Sequence, residues 1–149
     1  LMKLINMTRI EDAVQLFEDG YVCSQAVFAA FSEDFGLSKE QALKIGACFG
    51  SGMRKAEVCG ACTGALMVLG LKYGHSNADD KESKIKADKA CDKFLDEFKK
   101  ENGSYLCREL LDCDISTPEG KEHAIENKLF SELCPKMVES AATITEKLI

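Results

Sequence analysis

Cys59-Gly60-Ala61-Cys62-Thr63-Gly64-Ala65-Leu66 and its continuation to Leu71 decide the fold. The segment is apolar on nearly every side at helical length, which predicts a buried central helix, and its small residues let neighbouring backbones come close. The run is too short to span a bilayer and Gly64 and Gly70 interrupt it, so it reads as a core helix. Upstream, Thr8 and Glu11 form a capping-box pattern ahead of Ile10, Val14 and Phe17, predicting a helix over 9–19 that stops at Gly20. Val22 to Phe35 predicts a second helix, and Ser38 caps a third to about Phe49. Gly50-Ser51-Gly52-Met53 reads as a flexible connection into the central helix. Downstream, Asn77 or Asp79 starts a long helix to about Lys100, with Ile85, Phe94, Leu95 and Phe98 inward. Asn102-Gly103-Ser104 ends it and opens a short helix through Leu111. Thr117-Pro118 is an N-cap with proline at the first helical position, starting a helix to about Leu129, and Cys134-Pro135 begins the last one. No alternating run long enough for a strand occurs. The expected architecture is all-α, a single domain over 1–149 with about seven to eight helices packed around the central one.

Composition narrows the function. A formal charge of -6, the absence of Trp and aromatics that do not interleave with basic residues argue against nucleic acid as a partner. At 149 residues and 46% hydrophobic content the chain can bury a core without covalent staples. Leu1 to Asn6 lack the basic and apolar runs of an export signal, so the expectation is a cytoplasmic protein with reduced thiols. Eight cysteines then call for a chemical explanation. Cys48 and Cys91 fit equally well as buried apolar residues. Cys23, Cys59, Cys107, Cys113 and Cys134 fall at helix starts or beside turns, where unpaired amides and the helix dipole favour thiolate. Cys59 and Cys62 share a helix face, a CxxC dithiol without the strand-helix setting of thioredoxin-like enzymes. His75 and His123 read as solvated surface residues.

The stretches Gly20-Tyr21-Val22-Cys23-Ser24-Gln25-Ala26-Val27, Phe49-Gly50-Ser51-Gly52-Met53, Cys59 to Ala65, Cys107-Arg108-Glu109-Leu110-Leu111 and Leu133-Cys134-Pro135 resemble the C_GCAxxG_C_C family of redox-active proteins. Its CGAxxG motif corresponds to Cys59, Gly60, Ala61 and Gly64, and its four cysteines to Cys23, Cys59, Cys107 and Cys134. Cys62 falls at a variable motif position, and Cys113 is a fifth candidate. The resemblance implies redox activity and association with transporters. It extends to the iron-sulfur module of split-Soret cytochromes, although this chain has no Cys-x-x-Cys-His haem attachment sequence.

Three readings follow. In the first, Cys23, Cys59, Cys107 and Cys134 hold an iron-sulfur cluster, with Gly60, Gly64 and Cys113 near it, and the protein exchanges electrons with a redox partner. In the second there is no metal, and Cys59 with Cys62, or with Cys107 or Cys134, cycles between dithiol and disulfide. In the third the cysteines hold structural zinc in a transporter-associated binding protein. The apolar central helix and Met53 in its glycine loop are compatible with a homodimer.

Overall fold

The computed structural model describes residues 7–149; the Leu1 to Asn6 stretch read above for an export signal lies outside the described residues. Thr8 opens the first helix, α1 (Arg9–Glu18). Its hydroxyl accepts from the Glu11 amide while the Glu11 carboxylate accepts from the Thr8 amide, which satisfies two otherwise orphaned donors. α2 (Cys23–Ser32) follows, continued by a 3₁₀ turn over Glu33–Phe35 that ends at left-handed Gly36. Ser38 caps α3 (Lys39–Gly46), which stops three residues short of the predicted end.

The central motif helix is α4 (Gly60–Tyr73), with Cys59 at its N-cap. It shares the centre of the molecule with α2, in which Ala26 to Ser32 are all buried. The two helices pack at glycine-sized separation. A Cβ on Gly64 would stand 2.6 Å from the Ser24 carbonyl oxygen, so no larger residue fits without moving one helix. α3 is drawn to the same place: the Ser24 hydroxyl donates to the Gly46 carbonyl at 2.7 Å and the Gln25 amide to Leu43 at 2.9 Å. These bonds satisfy carbonyls at the end of α3 that have no helical partner of their own.

α5 (Lys81–Asn102) is capped by Asp80 and ends at left-handed Gly103. It buries Phe94 and Phe98, stacked 5.9 Å apart, but Ile85 is 53% exposed rather than inward, because the first turns of this long helix extend past the core. α6 (Cys107–Leu110), α7 (Pro118–Glu126) and α8 (Leu129–Glu132) are short, and the single helix expected from Thr117 to Leu129 is broken at Lys128, whose φ is +56°. α9 (Cys134–Leu148) returns through the core with Met137, Val138, Ala141, Ala142 and Ile144 buried against α1, α4 and α5. Among the described residues, extended pairing is limited to one antiparallel bridge between Val58 and Leu106. None of the described helices is long and apolar enough to cross a membrane.

The connection from Gly50 to Met53 is not the flexible linker expected. Ser51, Gly52, Met53, Arg54 and Ala56 all have positive φ, forming a left-handed turn. It is held by Glu57 donating to the Gly52 carbonyl at 3.1 Å and by the Arg108 guanidinium donating to Ala56 at 3.1 Å.

Gly64→Ala should lower the unfolding free energy by about 1–3 kcal/mol through overpacking against Ser24. Gly70→Ala, where an added Cβ meets nothing within 4 Å, should raise it by about 0.5–1 kcal/mol. Urea denaturation of the two variants tests whether the glycine requirement is set by the α2–α4 crossing; equal effects would show that it is not.

Candidate functional site

Each of the four cysteines that the resemblance singles out is carried to the same place by a different local device. Cys23 is the first residue of α2, where Val22 supplies the N-cap and the Gln25 side chain accepts from the Val22 amide at 3.0 Å. Cys59 is the N-cap of α4, and its carbonyl accepts from the Cys62 and Thr63 amides at 2.9 and 3.1 Å. Cys107 begins α6 and is tied to the Cys59 strand segment: the Cys59 amide donates to Tyr105 at 2.8 Å and the Cys107 amide to Glu57 at 2.6 Å. Cys134 is the first residue of α9 and precedes Pro135, which suits a helix start because it needs no amide donor there. The last step of closure is Gly60. Its missing Cβ would lie 3.2 Å from the Cys23 Cβ and 3.2 Å from the Gly50 Cα, so glycine lets the start of α4 press against the start of α2.

Cys23, Cys59, Cys107 and Cys134 line one cavity of about 270 Å³ whose walls include Phe17, Tyr21, Leu111, Ile115 and Phe130. Gly60 lines it too. Cys62 does not: it is fully buried behind Cys59. Gly64 sits one turn further along α4 and serves the helix crossing. Cys113 is half-buried in the turn after α6, near enough to oppose charge on Cys107 but off the cavity wall. Cys48 is exposed and Cys91 half-buried, so neither is the fully buried apolar residue considered above. His75 and His123 are exposed, as expected. All eight cysteines are free thiols, and among the described residues no group of three or more His, Cys, Asp or Glu side chains is set to hold a metal ion.

The sulfurs are not equivalent. A hydrogen bond from Cys62 lowers the Cys59 pKa against the opposing effect of burial, with the Ala61 and Cys62 amides helping. This is the behaviour expected of a sulfur at a helix N-terminus. The neighbours move the other way. Cys23 is held protonated by its hydrogen bond to Cys134 and by burial. Burial, then the nearby Cys59 and Cys134, push Cys107 up to about 12. Burial and the bond to Cys59 raise Cys62 strongly. One thiolate among protonated thiols is therefore the favoured state, since a second negative charge in an apolar cavity meets both desolvation and repulsion.

The C_GCAxxG_C_C pattern, described as "Putative redox-active protein", matches residues 21–148. The chain belongs to this family. No curated protein and no solved structure matches it. The family's span begins at Tyr21, just ahead of the first cavity cysteine, and runs to the end of α9, so it takes in every element that builds the cavity except α1. Residues that the sequence reading passed over are Tyr21, Ile115 and Phe130 on the cavity wall and Arg54 in the left-handed turn. The aromatic and aliphatic walls carry no motif, and their nearest signal is their place beside the cysteines in the chain.

Cys62→Ala should shift the pH at which Cys59 becomes reactive upward, because it removes the donor that favours the Cys59 thiolate. Alkylation of Cys59 by iodoacetamide, followed by mass spectrometry across pH 5 to about 10, measures the midpoint. An unchanged midpoint would assign the lowering to the helix amides alone.

Proposed function

We propose that the chain is a thiol–disulfide redox protein in which Cys59 is the attacking sulfur and Cys62 its resolving partner. The observation that carries this reading is the sorting of protonation states at one helix start: Cys59 is driven toward thiolate, while the adjacent Cys62 keeps its proton and points it at Cys59. The thiolate is the nucleophile in disulfide exchange. A disulfide RS–SR′ entering the cavity is attacked at one sulfur by Cys59; the Cys59–SR bond forms, the substrate S–S bond breaks and R′S⁻ departs. Cys62 then loses its proton and attacks the Cys59 sulfur, releasing RS⁻ and leaving a Cys59–Cys62 disulfide. The substrate gains two electrons and the protein loses two. A dithiol protein partner restores the reduced pair by the same two exchanges in reverse. Cys23, Cys107 and Cys134 surround the site with thiols that favour a single charge on Cys59.

A second reading rests on a different observation, the convergence of four cysteines from α2, α4, α6 and α9 on one apolar cavity. Cys23, Cys59, Cys107 and Cys134 match in number and chemistry the donors of an iron-sulfur cluster, and Gly60 brings backbone close to them. Such a cluster would supply one-electron transfer. The zinc reading has no comparable observation in its favour.

Protein purified without oxygen, assayed for disulfide reduction and for iron and acid-labile sulfide, separates the two. The expected result is metal-free protein whose turnover is abolished in Cys59→Ser, with Cys62→Ser trapped as a mixed disulfide after one exchange. Full turnover in Cys59→Ser sinks the thiol reading. Stoichiometric iron and sulfide, lost on replacing any of the four cavity cysteines, would establish the cluster instead.

A further inference from the structure

The cysteine cavity opens beside a second one of about 380 Å³, and the two share Ser51, Ile115 and Phe130 as a common wall. Their linings differ in kind. The first is sulfur and hydrocarbon, whereas the second presents the guanidinium of Arg54, the ammonium of Lys121 and the hydroxyls of Ser51, Ser116 and Thr117. No acidic side chain lines it. That composition is unusual for this chain, whose formal charge is -6 and whose other two arginines are both paired: Arg9 with Asp34 at 2.5 Å and Arg108 with Glu57 at 3.0 Å. Among the described residues Arg54 and Lys121 have no carboxylate within ion-pair distance. The nearest acidic candidate in the turn, Asp114, already accepts from the Ser116 amide at 2.9 Å and from the Ser116 hydroxyl.

Two unneutralised cations facing one cavity repel each other, and an anion between them relieves that repulsion while gaining charge-assisted hydrogen bonds. Ser51 stands on both walls, so a molecule lying across the divide would place one end among the sulfurs and the other between the cations.

We infer that the paired cavities bind a small disulfide that carries an anionic carboxylate or phosphate group, the anion seated between Arg54 and Lys121 and the disulfide against Cys59. This assignment rests on the thiol reading above and names its substrate class. The bond changes are those of the first exchange: Cys59–S forms, the substrate S–S breaks and its other half leaves as a thiolate, with the bound disulfide as oxidant. Arg54 and Lys121 take no part in the bond changes; they select and position the substrate.

The test uses the full chain with Cys48, Cys91 and Cys113 replaced by serine, so that the cavity sulfurs alone report. Rates are compared for the dianionic nitrobenzoate disulfide reagent and an uncharged dipyridyl disulfide, in Arg54→Glu and Lys121→Glu separately. Each variant should slow the anionic reagent about tenfold relative to the uncharged one, and added salt should shrink that preference in the parent protein. Oxidised glutathione and coenzyme A disulfide form two further arms, since one offers carboxylates and the other phosphates. Whichever is slowed more by charge reversal identifies the headgroup. An anionic-to-uncharged ratio unchanged in both variants and insensitive to salt overturns the assignment. Failure of the thiol reading looks different: in that case Cys59→Ser reacts with both reagents as fast as the parent does. Lys121 lies on a regular helix face, so its variant remains informative even where a change at left-handed Arg54 disturbs the turn.

Discussion

The close approach of α2 and α4 is the constraint on which the site depends. Where they cross, backbone meets backbone: Gly64 lies against the Ser24 carbonyl and Gly60 against the Cys23 side chain, with Gly50 pressed on Val22 at a distance no Cβ tolerates. Two helix starts that would normally be held apart by side chains are thereby superposed, and each begins with a cysteine. The other two sulfurs are added to this pair by weaker means. A two-bond backbone tie sets Cys107 beside Cys59, and the packing of α9 through the core delivers Cys134 to Cys23. Cysteines separated by tens of residues in the chain thus meet because small residues stand where the helices cross.

Bringing several thiols into an apolar cavity has an electrostatic consequence. Each isolated thiolate there loses solvation, and each additional one also meets the charge already present, so the titration belongs to the group rather than to any one residue. The fold resolves the competition by giving one sulfur better donors. Cys59 has the amides of a helix start and the Cys62 thiol; Cys107, buried and flanked by other sulfurs, has no such compensation and is pushed up to about 12. Asymmetry of this kind is what disulfide exchange requires, because attack needs a thiolate and resolution needs a second thiol that has not yet ionised. The same convergence of four thiols is what a cluster would require, and for that chemistry the asymmetry of the protonation states would be incidental.

Helix starts were the most legible part of the sequence. Thr8, Ser38 and Thr117-Pro118 sit at their expected caps, because capping is a local interaction between a side chain and amides two or three residues on. The placement of cysteines at those starts could be read for the same reason. What could not be read depended on distant partners. Ile85 keeps helical spacing with Phe94 and Phe98, yet nothing packs over that end of α5, and periodicity alone cannot say where a core stops. Gly50-Ser51-Gly52 looked flexible from its glycines, whereas the turn is fixed by Arg108 more than fifty residues away. The grouping of Cys23, Cys59, Cys107 and Cys134 came from the resemblance; nothing in their spacing dictates a common cavity. The cation pair beside it had no signal at all, since Arg54 and Lys121 belong to unrelated segments.

That left-handed turn raises a question of side-chain choice. For an ordinary residue the left-handed conformation costs roughly 1–2 kcal/mol relative to the right-handed one, a penalty glycine escapes. The chain uses glycine once in the turn, at Gly52, where a Cβ would collide with the Glu57 backbone. At Ser51, Met53, Arg54 and Ala56 it accepts the strain instead. Ala56 is fully buried and its carbonyl holds Arg108, so its methyl group has a packing role. Ser51 and Arg54 have no such role in the core. What they touch is the divide between the two cavities and the floor of the polar one. A backbone strained to display a hydroxyl and a guanidinium beside a reactive sulfur is more economically explained by what those groups bind than by what they stabilise.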